Sequence, residues 1–366
     1  MMTTVVQVVA VLVLVAFGAL VVITVGTSFI HERHDRHRRN TKRTVRRTIL
    51  RTLLQSNPHW DELIASFSSQ ERAAAKIIVR RLLREVSGNE REELLACADE
   101  LGIGDSAKRD LRSASPVERQ IAHAGLALTD QPIIIHQIYR SIGDSPELRE
   151  SAGRIFYERR HDVPGATEWG TRIVVGDGEH ILTAYGLDTL YRLNREDASP
   201  LLARGDHGAR RWGIDFTVQV LAVLANCQLS VPYREFRWVF ELLDHDEPSV
   251  RAAAIGVFSG LGWQNDLRSS LPIDRLIDDV SPVVRRATYE VLASWGDEPA
   301  RERLLAAVEA EIHHRTRLAL YRALWDLGVR EADEPILADD AAWQWTVALA
   351  DAGVQKEQHS MVVIGR

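Results

Sequence analysis

Cysteine is scarce in this chain of 366 residues, which holds only Cys97 and Cys227. A secreted domain of this size more often uses paired cysteines as cross-links, so the scarcity favours a reducing compartment. Both residues stand in apolar helical contexts, and we expect buried thiols. The sequence also lacks a glycine-rich phosphate loop, a nucleophile elbow and a paired-cysteine metal motif. No motif therefore indicates a catalytic residue, a cofactor or a metal ligand.

Charged side chains are absent before His31, and the run from Val5 to Ile30 is almost wholly apolar. At about 1.5 Å rise per residue, roughly twenty such residues cross the hydrocarbon layer as one helix. A cleaved signal peptide would have a basic start, a shorter apolar stretch and a small-residue cleavage site. The pattern therefore predicts a single-pass transmembrane helix rather than a signal peptide or a buried core helix.

The next segment, from His31 to Arg51, is a basic collar with nine Lys and Arg residues against two acids. Basic flanks of a membrane helix stay in the cytoplasm, so we expect the N-terminus outside and the C-terminal domain cytoplasmic. Apolar residues recur at helical spacing in and just after the collar, at Val45, Ile49, Leu50, Leu53 and Leu54. Arginines fill much of the remaining surface, at Arg43, Arg46, Arg47 and Arg51.

Two interpretations of the collar stay open. It forms an amphipathic helix that contacts anionic lipid at the cytoplasmic leaflet, or it sets topology while its apolar stripe packs on the following domain. Nucleic acid is not an expected partner. The collar carries a net charge of +7, so the rest of the chain carries −13 of the total of −6. An acidic body disfavours phosphate backbones.

Beyond the collar the composition is helical, because Ala, Leu and Arg dominate and alternating β-branched runs are scarce. Two pairs have capping-box spacing and predict helix starts, Ser68 with Glu71 and Asn89 with Glu92. Gly102 is placed to end the helix that follows Asn89. The fold class predicted for this part is all-α.

Proline and arginine recur three positions apart, and each pair predicts a helix start. The pairs are Pro116/Arg119, Pro146/Arg149, Pro248/Arg251 and Pro282/Arg285. Proline at the first helical position loses no hydrogen bond, and Ser115, Ser145, Glu247 and Ser281 stand at the capping position. The 102 residues from Pro146 to Pro248 are three times the 34 residues from Pro248 to Pro282, so two degenerate copies are expected between them, near His180 and Arg210. A further copy without proline starts at His314.

A period of roughly 30 to 34 residues with two helices each is typical of an α-solenoid. The segments Asp246 to Gly262 and Val280 to Gly296 resemble HEAT repeats of the short prokaryotic kind, which are also found in bilin lyases. The resemblance is good over residues 115–159 and 243–328 and poor over 160–231. It implies that the repeat arginines form a structural ladder with nearby acids. These arginines are Arg119, Arg149, Arg251, Arg285 and Arg317.

The predicted organisation is a single transmembrane helix followed by a HEAT-like solenoid of helical hairpins. Its parts are an extracytoplasmic N-terminus (1–4), the transmembrane helix (5–30), the basic juxtamembrane helix (31–56), an N-terminal helical cap (57–114), the repeats (115–338, degenerate around 160–231), a capping helix (339–352) and a tail (353–366).

Tryptophan is the residue type most suggestive of binding. Trp263, Trp295 and Trp325 fall near the ends of successive first helices. We favour a core and end-capping role, because large aromatics mostly bury area. The alternative is a row along one edge that receives a partner, since Trp is enriched in binding hot spots. The loop from Gly176 to His180 groups two acids with a histidine, and we read it as a turn.

Two functional hypotheses follow. The first is a membrane-anchored scaffold or adaptor that binds a protein partner, such as an accessory or regulatory subunit of a membrane enzyme complex; stacked repeats offer extended surfaces for large partners. The second is an enzyme or cofactor-handling protein of the bilin-lyase-like branch, which rests on repeat similarity alone.

Overall fold

The computed structural model describes residues 39–55, 58–228, 233–260, 265–330, 337 and 340–364. All regular elements within these ranges are helices and none is a strand, as the composition predicts. The apolar run from Val5 to Ile30 lies outside the described residues. Among the helices that are described, none combines the length and the apolar character needed to span a bilayer.

The chain divides into two compact units, Met1–Ile133 and Ile134–Arg366. The described helices of the first unit are α1 (39–53), α2 (Trp60–Ser66), α3 (Ser69–Glu85), α4 (Asn89–Glu100), α5 (Ile103–Asp110) and α6 (Pro116–Leu128). Those of the second unit are α7 (Ile135–Ile142), α8 (Pro146–Glu158), α9 (Ala166–Val175), α10 (Ala184–Asn194), α11 (Ser199–Gly208), α12 (Ile214–Leu224), α13 (Arg237–Leu242), α14 (Pro248–Gly256), α15 (Asn265–Ser270), α16 (Ile273–Ile277), α17 (Pro282–Trp295), α18 (Glu298–Ala307), α19 (His314–Asp326) and α20 (Ala341–Ile364).

Helix α1 buries its apolar stripe inside the first unit. Val45 and Ile49 are almost fully buried in a cluster that includes Trp60 and Ile64 of α2, and Leu50 and Leu53 pack partly against it. Leu54, predicted as part of the stripe, is exposed because the helix ends at residue 53. The packing of the apolar stripe on the following helices agrees with the second interpretation of the collar.

The predicted helix signals in the first unit have different outcomes. The capping box at Ser68 is confirmed, with the Glu71 N–H bound to its hydroxyl and the Glu71 carboxylate bound to the Ser68 N–H. The one at Asn89 is wrong, because Gly88 occupies the cap with a φ of 72° and Asn89 is already the first helical residue. Gly102 follows α4 in the left-handed conformation, as predicted.

The proline positions start helices as predicted. Helices α6, α8, α14 and α17 begin at the four repeat prolines, and α19 begins at His314. Among the cap residues, only the Ser115 and Ser145 side chains accept a backbone N–H; Glu247 and Ser281 hold the cap position without such a bond. Helices α10 and α12 begin four residues after the positions expected for the degenerate copies.

Seven helices of the second unit pack one after another in a row, which we call the A row. In order they are α8, α10, α12, α14, α17, α19 and α20. Connecting helices pack against the row, including α9 on α8, α13 on α14 and α18 on α17. The backbone of the turn before α12 bonds to the turn before α10, through Gly213 N–H to the Gly178 carbonyl at 3.1 Å. A linear row of helix pairs is consistent with an α-solenoid.

Candidate functional site: the arginine ladder and its exposed edge

Four of the five predicted repeat arginines bind an acid that precedes the next helix of the A row. We call these pairs the ladder; they are Arg149–Asp177, Arg251–Asp279, Arg285–Glu311 and Arg317–Asp340. Three of these arginines, Arg251, Arg285 and Arg317, also donate to a backbone carbonyl in the turn before their own helix. The ladder joins the N-terminal ends of adjacent A-row helices.

Arg251 shows the geometry of one pair. Its Nε and Nη2 donate to the two Asp279 carboxylate oxygens at 2.9 and 2.8 Å. Its Nη1 donates to the backbone carbonyls of His245 and Asp246, at 2.8 and 3.0 Å, in the turn before its own helix. The planar guanidinium with its fixed fork of donors suits this double role. One side chain thus ties two successive turns together.

Arg285 repeats this pattern one helix later. Both contacts to the Glu311 carboxylate are 2.8 Å, and Nη1 donates to the Asp279 carbonyl at 2.8 Å. Asp279 therefore serves two arginines, Arg251 through its carboxylate and Arg285 through its carbonyl. Because they share this residue, the two neighbouring pairs are coupled directly.

The acids of the ladder also shape their own turns. Each accepts the backbone N–H two residues ahead, at 2.8 Å from Ser281 to Asp279 and 2.9 Å from His313 to Glu311. Burial would raise the pKa of Glu311, but hydrogen bonds from Arg285 and His313 outweigh burial and hold that pKa below its usual range. The pKa of Asp279 is lowered in the same way, by Arg251 and Ser281 against burial.

The remaining repeat arginines differ from these two. Arg317 binds Asp340, which also accepts the Tyr321 hydroxyl at 2.6 Å. Arg149 binds Asp177 at 3.0 and 3.4 Å, and this acid is half exposed. Arg119 in the first unit has a buried Nε with no hydrogen-bond partner among the described residues. The most buried two-point contacts of the ladder are therefore Arg251–Asp279 and Arg285–Glu311.

The two tryptophans of this set that the structure describes, Trp295 and Trp325, both pack against other side chains. Trp295 is buried, donates from Nε1 to the Phe258 carbonyl at 3.1 Å and lies under the Arg268 guanidinium. Trp325 is half-buried, 6.0 Å from the Trp343 ring, with Arg330 stacked over it. Trp263 lies outside the described residues. The placement of Trp295 and Trp325 fits a packing role better than a partner-binding row.

Exposed aliphatic side chains lie instead beside the ladder acids. Val280 directly follows Asp279 and is 91% exposed, and Ile312 directly follows Glu311 and is 83% exposed. Val283, in the first turn of α17, is exposed as well. We call these three residues the ladder edge. Sequence reasoning missed them, although an apolar residue between a ladder acid and a helix cap is a signal that can be read from the repeat.

Earlier in the A row, three more apolar side chains are exposed near the N-terminal ends of α10 and α12. They are Ile181, Tyr185 and Ile214. Exposed apolar side chains therefore occur at the N-terminal ends of α10, α12, α17 and α19.

The predicted lipid-contact arginines all lie on the surface of the first unit. Arg43, Arg46, Arg47 and Arg51 are exposed, as is Lys42. Residues 39–53 contain no acid. Because the apolar stripe of α1 faces inward, the helix presents charge to solvent and no large apolar side chain before Leu54.

Few side chains in the described ranges could serve as metal ligands, nucleophiles or acid–base groups. Ligand atoms of Asp177, Glu179 and His180 lie within 4.8 Å of one another on an exposed turn, but Arg149 already holds Asp177, so a cation would have to displace it. Burial raises the pKa of both Cys97 and Cys227 to about 12, so they are neutral thiols rather than nucleophiles at pH 7. Burial lowers the pKa of His123 to about 4, and it is neutral.

Comparison of the chain with protein-family models and with curated proteins finds no match.

Proposed function

We propose that the protein is a membrane-anchored, HEAT-like scaffold or adaptor that binds a protein partner at the cytoplasmic face of the membrane. The observation that carries the proposal is the ladder edge, where Val280, Val283 and Ile312 expose aliphatic surface along the row of A helices. Aliphatic groups held in fixed positions by buried ion pairs suit a preorganised contact with another protein. An accessory or regulatory subunit of a membrane enzyme complex fits this description.

The HEAT-like assignment is supported by one feature of the sequence and one of the structure. Arg251, Arg285 and Arg317 recur at intervals of 34 and 32 residues, and the same arginines bridge consecutive turns of the A row. Stacked repeats of this kind offer extended surfaces rather than a deep pocket.

The membrane anchor is supported by the uncharged run from Val5 to Ile30 and the basic collar that follows it. The exposed cationic face of α1 adds a second, electrostatic attraction to anionic lipid. Since Val45 and Ile49 are buried in the first unit, this attraction does not involve insertion of the helix into the bilayer.

The test is partner capture from native membranes. We expect crosslinking of the full chain in intact cells to capture a specific protein neighbour. The Val280→Asp, Ile312→Asp double variant should capture at least ten times less of this neighbour. Leu54→Asp is the matched control, because Leu54 is equally exposed but lies in the first unit, and it should leave the yield unchanged. Recovery of chaperones alone from both the wild type and the Leu54→Asp control would overturn the proposal.

Localisation needs its own measurement. The full chain should stay with membranes through an alkaline carbonate wash. In intact cells a membrane-impermeant maleimide should fail to label the Leu54→Cys variant, and permeabilisation should restore labelling. Labelling in intact cells would place this part of the chain outside and contradict the proposed orientation.

A further inference from the structure

The ladder is interrupted between α10 and α14. Each ladder arginine is the fourth residue of its helix, as Arg251 is in α14 and Arg285 is in α17. The fourth residue of α10 is Leu187 and that of α12 is Thr217, and neither carries a guanidinium. Two successive helices of the A row therefore lack the arginine that joins the later ones.

The acid positions change in the same two places. The ladder acids Asp279 and Glu311 each lie two residues before the cap of the next A-row helix. The same position holds Arg211 before α12 and His245 before α14. His245 still accepts the N–H of the cap residue Glu247, through Nδ1 at 3.0 Å, as a ladder acid does. The interruption thus replaces two acids by one cation and one imidazole.

A cleft of about 810 Å³ opens at this interruption. Arg211, Thr217 and His245 all line it, so the cleft lies where an arginine and its acid would otherwise meet. An apolar wall completes the lining, formed by Trp212, Ile214 and Leu242. Concave sites of roughly 300 to 1,000 Å³ that combine apolar walls with a few polar groups are typical of small-molecule binding. Size and lining therefore indicate a ligand site.

The charged lining of the cleft has one positive charge in excess. Three arginines and two acids contribute to it, namely Arg210, Arg211, Arg237, Asp206 and Glu241. Glu241 pairs with Arg210 at 3.0 Å and with Arg237 at 3.4 Å. Within the described ranges Arg211 forms no ion pair, and its Nη2 donates to the His207 carbonyl at 3.3 Å. Arg211 is therefore the cation that a bound anion would meet.

Further positive charge lies close to Arg211. Burial lowers the pKa of the nearby Arg204, and the charges of Arg172 and Arg211 lower it further. Arginines that are close to one another without a balancing acid attract anions. His245 adds a neutral donor, because a ring whose Nδ1 accepts a hydrogen bond carries its proton on Nε2.

We propose that this cleft binds a small organic acid, with its carboxylate beside Arg211 and His245 and its apolar body against Ile214 and Leu242. A guanidinium and an imidazole N–H can both donate to one carboxylate. The single excess charge of the lining suits a carboxylate better than a doubly charged phosphate ester. The cleft shares no residue with the ladder edge, so the inference does not depend on the proposed protein partner.

The first test is equilibrium dialysis of the full chain in phosphatidylcholine nanodiscs against 2-naphthoate, with empty discs as the blank. We expect saturable binding of one 2-naphthoate per chain. The uncharged 2-naphthamide has the same flat body and should bind about ten times more weakly or worse, because it loses the charged hydrogen bond to Arg211. Equal binding of acid and amide would overturn the proposal. So would the absence of saturable binding, which would leave an acidic segment of a protein as the occupant.

The second test removes the cation. Arg211→Ala should weaken 2-naphthoate binding about tenfold or more, because a charged hydrogen-bond donor is lost. Arg286→Ala is the matched control, since Arg286 is an exposed arginine of α17 that does not line the cleft, and it should bind like the wild type. Unchanged affinity of Arg211→Ala would contradict the assigned position of the carboxylate and overturn the proposal.

The third test restores the ladder. The double variant Thr217→Arg, His245→Asp places an arginine and an acid at the positions that hold them in the regular repeats. The new pair should fill the cleft and abolish 2-naphthoate binding, while the midpoint of urea unfolding stays the same or rises. Normal binding by this folded variant would overturn the proposal, and Arg211→Ala decides the question if the double variant does not fold.

The two proposals can fail separately. The Val280→Asp, Ile312→Asp variant changes only the ladder edge and should bind 2-naphthoate like the wild type. Loss of partner capture with intact 2-naphthoate binding, or the reverse, would show which of the two surfaces is functional.

Discussion

Arginine occupies opposite surroundings in α1 and in the ladder. Along α1 the guanidinium groups of Arg43, Arg46 and Arg47 are exposed, and no acid occurs in residues 39–53. In the ladder, Arg251 and Arg285 have side chains only 11% and 16% exposed, and each makes a two-point contact with a carboxylate. The same residue type therefore supplies free surface charge in one region and a structural cross-link in the other.

The difference lies in what surrounds each charge. A buried guanidinium that loses its acid, or a buried acid that loses its guanidinium, leaves an uncompensated charge in a poorly solvated place. An exposed arginine is hydrated with or without a partner, and its pairing contributes little to stability. Substitutions in the two regions should consequently change different properties, stability in the ladder and electrostatic attraction in α1.

The largest expected effect is at the centre of the ladder. Arg285→Ala should lower the free energy of unfolding by about 3 kcal/mol, because it leaves the buried Glu311 carboxylate without its cation. Arg286→Ala is the matched control: this neighbour pairs with Glu290 on the surface of the same helix and should cost about 0.5 kcal/mol or less. Urea unfolding followed by tryptophan fluorescence measures both.

Equal losses for the two alanine variants would contradict the comparison. Arg285→Lys sharpens it further. Lysine keeps the charge but cannot make a two-point contact with Glu311 while also reaching the Asp279 carbonyl. We expect this variant to fall between the wild type and Arg285→Ala.

A smaller effect should appear on acidification. The pKa values of Glu311 and Asp279 lie below their ordinary values of 4.5 and 3.8, so the ladder contributes stability that is fully present above those values. This contribution is lost as the pH falls through the lowered pKa of each folded carboxyl. The contribution of the ladder should therefore stay level from pH 7 to about 5 and drop below that, in addition to a separate loss that begins below about pH 6.5 because burial lowers the pKa of His123 to about 4.

The Glu311→Gln variant isolates the contribution of one pair. It should start from a lower stability at pH 7 and lose less between pH 5 and 3, because one of the titrating groups has been removed. A loss as steep as that of the wild type would show that other carboxyls dominate the acid response.

The helix starts were predictable because local chemistry decides them. Proline at the first turn and serine before it act within a few residues, and α6, α8 and α17 begin where this chemistry places them. The ladder required more, since each acid precedes the next helix of the A row and is far from its arginine in the sequence. The repeat pattern identified the arginines, and only the packing of successive turns showed which acids they meet.

The exposed edge and the tryptophans were less predictable for the same reason. Trp295 is buried because Phe258 and Arg268 lie against it, and neither residue is near it in the sequence. Val280 and Ile312 are exposed in turns whose ladder acids bind an arginine of the preceding A-row helix. The cap at Gly88 depends on a positive φ that a capping-box pattern does not reveal. Contacts between residues far apart in the sequence are therefore involved at Trp295 and at the ladder edge, whereas the cap at Gly88 depends on local backbone conformation.

The smallest effect on stability is expected in α1. In a fragment that starts at His31, the double variant Arg43→Glu, Arg47→Glu should change the free energy of unfolding by no more than about 0.5 kcal/mol, because both side chains are exposed. Binding to vesicles containing phosphatidylserine should nevertheless weaken more than tenfold, since each basic residue near an anionic surface contributes about 1 kcal/mol.

The matched control replaces the same two residues by lysine, which keeps the charge without the planar guanidinium. Cosedimentation with vesicles at low and at physiological salt separates the possibilities. If charge alone matters in α1, the lysine variant binds like the wild type and both lose affinity as salt rises. A lysine variant that binds as weakly as the glutamate variant would mean that α1 uses its arginines for shape as the ladder does, and the contrast between the two regions would no longer hold.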